Sequence, residues 1–311
     1  MKKVLGLLLV LILALGMCTA AGAEAAPVHK IGILAPAVTH GWVAAVAYNA
    51  ELRCKELGME YRVVTSNNAE EMTAQLDELI VWGAEAIVAF PQWEGMETPI
   101  QQAIDGGVIV VNFDIAIDAT GVYFVSGDNK DMGVQSANYI SEKLGGKGKV
   151  VIMEVPTAGS VNELRKAGFE ETIAVIAPEI EIIGTYATEF TREAGLRDMA
   201  DILTANPEID AVFSMDDETS IGALQAIDEA DRADIKVITG GGGCQEYFNM
   251  MPKYENIWVQ SALYSPSMVK DAVDMAIAVL DGEEIETSKI IPTSLVDKDN
   301  CQDYLDEGSP Y

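Results

Sequence analysis

Acidic side chains follow two of the short apolar runs in this 311-residue sequence. Asp114 comes directly after Val108–Phe113, and Asp216 comes directly after Ala211–Met215. Two carboxylates that flank one glycosidic bond could hydrolyse it. The chain contains 49 acidic residues, however, so two of them at such positions give only weak support for an enzyme.

Sequence motifs of other enzyme classes are absent. The chain has neither a G-x-S-x-G nucleophile elbow nor a G-x-x-x-x-G-K-[ST] phosphate loop. The loop Ala35–Gly41 lacks the G-x-G-x-x-G of dinucleotide sites, and the glycine run Gly240–Gly243 is by itself a weak phosphate signal. With two histidines and no C-x-x-C pair, a zinc site is not expected. We therefore predict no catalytic residue, no cofactor and no metal.

The composition indicates a folded, strongly acidic protein. Acidic residues outnumber lysine and arginine by 49 to 20, which gives a net charge of −29. Such a charge repels nucleic acid phosphates and anionic lipids, so neither is an expected partner. Hydrophobic residues make up 49% of the chain, which excludes a disordered protein, and the length predicts about two domains.

The first 23 residues have the order of a secretory signal peptide. Lys2 and Lys3 precede the apolar run Val4–Leu15, and small residues lead to Ala23. The run is too short for a membrane span, which needs about 20 residues. We predict a periplasmic or otherwise extracytoplasmic protein whose signal peptide covers residues 1–23, with lipidation at Cys18 as the alternative.

Short β-branched runs alternate with longer helical patterns from Lys30 onward, and the alternation starts again at Lys149. Gly145 and Gly146 lie between the two sets and are interpreted as a helix stop. The strands are apolar on both faces, as in parallel sheets that helices cover on each side. The pattern predicts an α/β fold of two doubly wound lobes, in which ligands bind beyond the carboxyl ends of the strands.

Several motifs make the chain resemble a known family, from about Lys30 to about Val296. They include Ala86–Pro91, Val108–Asp114 and Ala211–Glu218. In their order and spacing these motifs are similar to those of periplasmic sugar-binding proteins of the ribose-binding type, which feed ABC importers. The resemblance implies two Rossmann-like lobes joined by a three-strand hinge that close over a ligand, and a monomer.

The resemblance also implies lobe boundaries. The crossovers between the lobes should fall near 125–128, 262–265 and 291–293. The N-terminal lobe would then comprise residues 30–126 and 264–291, and the C-terminal lobe residues 127–263 and 292–311. Repressors with the same core carry an N-terminal DNA-binding domain, but here the leader sequence takes that place.

Ligand-binding positions of the family can be carried over one at a time. The carboxylate that ends the fourth strand is kept as Asp114, whereas a glycine stands where an aspartate is expected after a late strand. The expected ligand-binding residues are His40, Trp42, Phe90, Asp114, Glu163, Phe190, Asp216 and Gly241.

The set departs from the family in its charge, because Glu163 stands where the family has an arginine. Buried carboxylates need hydrogen-bond donors or a nearby cation. One hypothesis is that Asp114, Glu163 and Asp216 bind a polyol, an amino sugar or another amine. The alternative is that one acid pairs with Arg165 or Lys166, or faces solvent.

The sequence thus predicts a binding protein that is not an enzyme. It would capture a small polar ligand, a sugar or polyol, and deliver it to the membrane permease of an ABC importer. A receptor for an amine, amino sugar, nucleoside or signalling molecule, including a chemotaxis sensor, is the alternative within this class. A secreted glycoside-processing enzyme is the alternative from another class.

Overall fold

The chain folds around two separate six-stranded sheets. The computed structural model describes residues 27–37 and 41–311. The predicted signal peptide, Cys18 and His40 lie outside the described residues. Within the described part, no helix is long and apolar enough to cross a membrane.

All neighbouring strands of the first sheet are parallel. Its strands are β1 Lys30–Pro36, β2 Glu60–Ser66, β3 Ala86–Ala89, β4 Ile109–Phe113, β5 Tyr123–Gly127 and β11 Ser288–Ile291. They lie in the order β11–β5–β4–β3–β1–β2. The central strands β3 and β4 are buried on both faces, as the continuous apolar runs predict.

The second sheet repeats this arrangement with one antiparallel edge. Its strands are β6 Lys147–Glu154, β7 Glu179–Ala187, β8 Ala211–Ser214, β9 Val237–Gly241, β10 Trp258–Ala262 and β12 Leu295–Asp297. They lie in the order β12–β10–β9–β8–β6–β7, and β12 runs antiparallel to β10.

Helices cover the faces of both sheets. Those of the first lobe are α1 Gly41–Glu56, α2 Ala69–Trp82, α3 Glu97–Asp105 and α9 Val269–Leu280. Those of the second lobe are α4 Asn129–Leu144, α5 Ser160–Ile176, α6 Arg192–Ala205, α7 Asp217–Glu229 and α8 Gln245–Met250. The α/β fold of two doubly wound lobes is thereby confirmed.

Local sequence sets several helix ends. The hydroxyl of Thr191 accepts a hydrogen bond from the amide of Ala194 and so caps the N-terminus of α6. Gly145 adopts φ +68° directly after α4, which confirms the helix stop. Pro266 begins a 3₁₀ turn ahead of α9, and the Ser265 side chain caps that turn by accepting from the amide of Ser267.

The chain passes between the two sheets three times. It leaves the first sheet after β5 and enters the second lobe at α4. It returns between β10 and α9, and crosses again between β11 and β12. Three short segments outside the strands therefore join the lobes.

Glycines let the helices of the second lobe approach closely. A Cβ atom on Gly133 in α4 would lie 2.0 Å from the carbonyl oxygen of Arg165 in α5. A Cβ on Gly168 in α5 would lie 2.1 Å from the carbonyl oxygen of Lys130. Neither separation is possible for a real side chain, so this helix pair depends on the absence of Cβ atoms at both positions.

Candidate functional site

A cavity of about 700 Å³ lies where the carboxyl ends of the two sheets face each other. This is the position where ligands bind in doubly wound sheets. Six of the residues that the sequence predicts at the site line this cavity: Trp42, Phe90, Asp114, Phe190, Asp216 and Gly241. His40 lies outside the described residues, and Glu163 lies elsewhere.

The structure corrects the expected position of Glu163. It is exposed on α5 and does not line the cavity, whereas Arg165 does, together with Val161. Successive helical residues are rotated by about 100°, so Glu163 points roughly 200° away from both. The structure therefore puts the Arg165 guanidinium, and not the Glu163 carboxylate, at the second lobe's side of the cavity.

Arg165 is buried and held from several directions. Its Nε donates to Asn129 Oδ1 at 2.9 Å, and another guanidinium nitrogen donates to the carbonyl of Met215 at 2.7 Å. The guanidinium carbon lies 4.9 Å from the ring centre of Tyr264. These contacts fix the orientation of a positive group that faces the cavity, and such cation–π contacts favour a buried guanidinium.

Asp114 ends β4 and lies in a hydrogen-bond network that reaches the second lobe. Tyr264, in the crossover after β10, donates its hydroxyl hydrogen to Asp114 Oδ1. The same hydroxyl oxygen accepts from Asn129 Nδ2 at 3.2 Å. Burial raises the pKa of Asp114, while the Tyr264 hydrogen bond and the charge of Arg165 oppose that rise. The network links the two lobes through one crossover residue.

Aromatic rings form the first lobe's side of the cavity. Trp42, at the start of α1, stacks at 6.1 Å on Phe113 and meets Phe90 edge-on at 5.9 Å. Its indole nitrogen donates to the carbonyl of Tyr264 at 2.8 Å. The ring is therefore fixed both by packing and by a hydrogen bond, as a stacking surface for a ligand requires.

Asp216 and Asp217 begin α7 with different partners. Asp216 caps the helix by accepting from the amide of Thr219 at 3.0 Å, and burial raises its pKa to about 6. Asp217 Oδ2 accepts from the amides of Gly243 and Cys244, at 2.8 and 2.9 Å. Burial raises the pKa of Asp217 to about 7, and no described residue hydrogen-bonds to its Oδ1.

The raised pKa of Asp217 predicts a pH-dependent stability. Between about pH 4 and pH 7 the native state holds a proton that the unfolded state has lost, so the free energy of unfolding falls as pH rises, by up to about 1.4 kcal/mol per pH unit. Asp217→Asn should remove the contribution of Asp217 to this slope, most clearly between pH 6 and pH 7, above the pKa of Asp216. Urea denaturation at pH 5, 6 and 7 measures it, and an unchanged slope would contradict the prediction. Asp216→Asn is the matched control, because it should flatten the curve mainly below pH 6.

The acids of the cavity outnumber its cations. Within the described chain, Arg165 is the one lysine or arginine that lines it. Six carboxylate residues line the same cavity: Glu94, Glu97, Asp114, Glu189, Asp216 and Glu218. Glu218 pairs with Arg192 at 2.5 Å. Among the described residues no group of three or more histidine, cysteine or acidic side chains could hold a metal ion.

Three residues that line the cavity were not among the site residues expected from the sequence. The sequence indicated Arg165 only as a partner for one of the acids; it lies four positions after Val161, which also lines the cavity. Tyr264 and Tyr311 also line the cavity. They come from segments without a repeating pattern, and no motif indicates where their side chains lie.

Comparison with known proteins agrees with this architecture. The profile of the periplasmic binding protein domain matches residues 31–284. The chain is 27% identical over 270 residues to the ribose import binding protein of Bacillus subtilis, covering 85% of this chain and 86% of that protein. It is 25% identical to the xylitol-binding protein of Mycolicibacterium smegmatis, covering 76% and 67%.

Solved structures share the fold over nearly the whole chain. A solute-binding protein of an ABC transporter from Actinobacillus succinogenes, with bound D-allose, has a TM-score of 0.82 at 23% identity and covers 89% of this chain and 100% of its own. Another, from Mycobacterium smegmatis with bound glycerol, has a TM-score of 0.82 at 25% identity and covers 91% and 99%. As its sequence motifs predict, the chain belongs to the periplasmic binding protein family.

Proposed function

We propose that this solute-binding protein takes up a small neutral sugar or polyol between its lobes and presents it to an ABC importer. The observation that carries the proposal is the cavity itself, in which fixed aromatic rings face Asp114, Asp216 and one buried arginine. Relatives whose names give ribose and xylitol as their ligands support the same class.

Each kind of side chain suits one part of such a ligand. The rings of Trp42, Phe90 and Phe190 offer flat apolar surfaces for the C–H faces of a sugar. Asp114 and Asp216 accept hydrogen bonds from hydroxyl groups, and Arg165 donates to ring or hydroxyl oxygens. A neutral ligand with many hydroxyl groups satisfies both the donors and the acceptors.

Binding is coupled to closure of the lobes. The three crossovers between the sheets form the hinge, and ligand contacts from both lobes stabilise the closed form. The permease subunits would recognise that closed form, with the binding protein acting as a monomer outside the cytoplasm after removal of residues 1–23. No covalent step is required of the cavity residues.

An amine or amino sugar is the second candidate. The excess of carboxylates over arginine around the cavity favours it, because a positive charge between Asp114 and Asp216 would lower the cost of burying both. The loss of Glu163 from the site weakens this candidate, since one of its three carboxylates faces solvent.

A thermal-shift screen of the refolded, ligand-stripped protein tests the proposal. The panel contains D-ribose, D-allose, L-arabinose, xylitol, glycerol, myo-inositol, glucosamine and adenosine. A ligand at 100 times its dissociation constant adds about 2.7 kcal/mol to the free energy of unfolding and raises the melting temperature by several degrees.

We expect the melting temperature to shift with neutral sugars or polyols. Shifts with glucosamine alone would favour the second candidate, and shifts with none would contradict both. Products formed from a β-glucoside would indicate an enzyme.

A further inference from the structure

The last seven residues form a strap that folds back on the second lobe. This C-terminal strap, residues 305–311, follows a 3₁₀ turn at Cys301–Tyr304. Gln245, at the start of α8, holds it at two places. The Gln245 side-chain Oε1 atom accepts from the backbone amide of Asp306 at 2.7 Å, and the Gln245 backbone amide donates to the carbonyl of Tyr311 at 3.1 Å. The strap is thereby fixed along its length.

The strap delivers the ring of Tyr311 to the cavity between the lobes. The side chain is buried, with 8% of the residue exposed, and it lines the cavity. A Cβ atom on Gly41 of the first lobe would lie 2.9 Å from Tyr311 Cδ2. A Cβ atom on Gly242 of the second lobe would lie 2.9 Å from the Tyr311 hydroxyl oxygen. The ring therefore packs against the backbone of both lobes.

The hydroxyl of Tyr311 is suited to donate to a ligand. No described residue forms a hydrogen bond with it. Burial raises the pKa of Tyr311, and the nearby carboxylates of Asp217 and Asp216 raise it further, so the phenol stays protonated. Gly241, where the family resemblance predicts an aspartate, has no side chain, and the Tyr311 ring lies next to this stretch of backbone.

We propose that Tyr311 is a specificity-determining residue of the binding site, which contacts the ligand and joins the two lobes in the closed form. This inference rests on the proposed function, because it assigns the ligand to the same cavity. The ring shortens the cavity and so selects a small ligand, and the hydroxyl donates to one of that ligand's oxygen atoms. Gln245 is a positioning residue, which acts through the strap.

Gly41 provides a direct test of the contact between the lobes. Its backbone is helical, and alanine is at least as compatible with a helix as glycine is. In the closed form, however, an alanine methyl group would overlap Tyr311. Gly41→Ala should therefore oppose closure only when Tyr311 is present. In a Tyr311→Ala background the same substitution should have little effect.

The experiment is a double-mutant cycle with two readouts. Calorimetry gives the dissociation constants of D-ribose and D-allose for the wild type, Gly41→Ala, Tyr311→Ala and the double variant. We expect Gly41→Ala to weaken binding about tenfold or more when Tyr311 is present and less than twofold in the Tyr311→Ala background.

The Tyr311 variants alone test the contact with the ligand. Tyr311→Phe should weaken binding roughly threefold to tenfold, and Tyr311→Ala should raise the affinity for D-allose relative to D-ribose.

The second readout does not require a known ligand. Spin labels at Val81→Cys on α2 and Val175→Cys on α5 report the distance between the lobes, since both side chains are exposed and Cys54, Cys244 and Cys301 are buried. The remaining cysteine, Cys18, lies in the segment 1–23 and is absent once that segment is removed. Gly41→Ala should change the distance distribution of the ligand-free protein, and Tyr311→Ala should cancel that change. Gln245→Ala removes the side-chain bond to Asp306 but keeps the backbone bond to Tyr311, so it should reproduce part of the effect of Tyr311→Ala. Glu307→Ala, at an exposed strap residue, is the matched control.

Equal effects of Gly41→Ala in both backgrounds would overturn the interlobe contact. Wild-type affinity in Tyr311→Phe would overturn the hydrogen bond to the ligand. If no panel compound binds the wild type, the proposed sugar function fails, and the spin-label cycle still decides whether Tyr311 joins the lobes.

Discussion

Asp114→Asn is expected to weaken ligand binding by roughly 10- to 100-fold, because hydrogen bonds to a charged acceptor contribute about 1.5–3 kcal/mol each. The substitution also places an amide where Tyr264 now donates to a carboxylate oxygen. Asp114 has φ +68°, a left-handed conformation that asparagine adopts about as readily as aspartate. The change therefore removes the charge without adding backbone strain, and calorimetry with the panel compound that gives the largest thermal shift measures its effect.

Glu163→Gln is the matched control for this variant. It also converts a carboxylate into an amide, but on the exposed face of α5 outside the cavity. Binding should stay within about twofold of the wild type, as expected for a surface substitution. If the Glu163 variant lost as much affinity as the Asp114 variant, the placement of the ligand in this cavity would be wrong.

Gly133→Ala is expected to destabilise the protein by about 3 kcal/mol or more, although alanine favours helices by about 1 kcal/mol over glycine. The new methyl group would lie 2.0 Å from the carbonyl oxygen of Arg165, which is backbone and cannot rotate away. Helices α4 and α5 must then separate, and α5 carries Arg165 with it. Urea denaturation followed by circular dichroism measures the loss, and calorimetry should show weaker ligand binding as well.

Asn138→Ala provides the comparison on the same helix. Asn138 is exposed on α4, so its replacement should stabilise the helix slightly or change nothing. A Gly133→Ala variant as stable as the wild type would show that α4 and α5 can separate without cost, which would contradict the close packing.

The fold could be predicted because its signal is repeated along the chain. Each buried parallel strand is a short apolar run, each covering helix has its own apolar face, and two such sets follow each other. The aromatic and acidic residues that follow the strands were predictable for the same reason. Once the strands are placed, the residues after their carboxyl ends lie where ligands bind. The structure places Trp42, Phe90, Asp114 and Asp216 at the cavity on this basis.

The rest of the site depends on geometry that one sequence does not contain. Glu163 and Arg165 are two positions apart, yet the turn of the helix puts one in solvent and the other at the ligand cavity. Tyr264 reaches Asp114 from 150 positions along the chain. Tyr311 arrives on a strap with no helical or strand periodicity, so only the tertiary structure shows where its ring lies.

The hydrogen bond from the Trp42 indole to the Tyr264 carbonyl has a spectroscopic consequence. Trp42 and Trp93 line the cavity, while the other two of the four tryptophans lie beneath cationic side chains: Lys30 and Arg62 over Trp82, and Lys143 and Lys298 over Trp258. Because the Trp42 indole donates to the Tyr264 carbonyl, bending at the crossover that carries Tyr264 should change the polarity around this indole directly. We therefore expect the fluorescence emission of Trp42 to respond to movement of the hinge. Trp82 and Trp258 should provide a steady background.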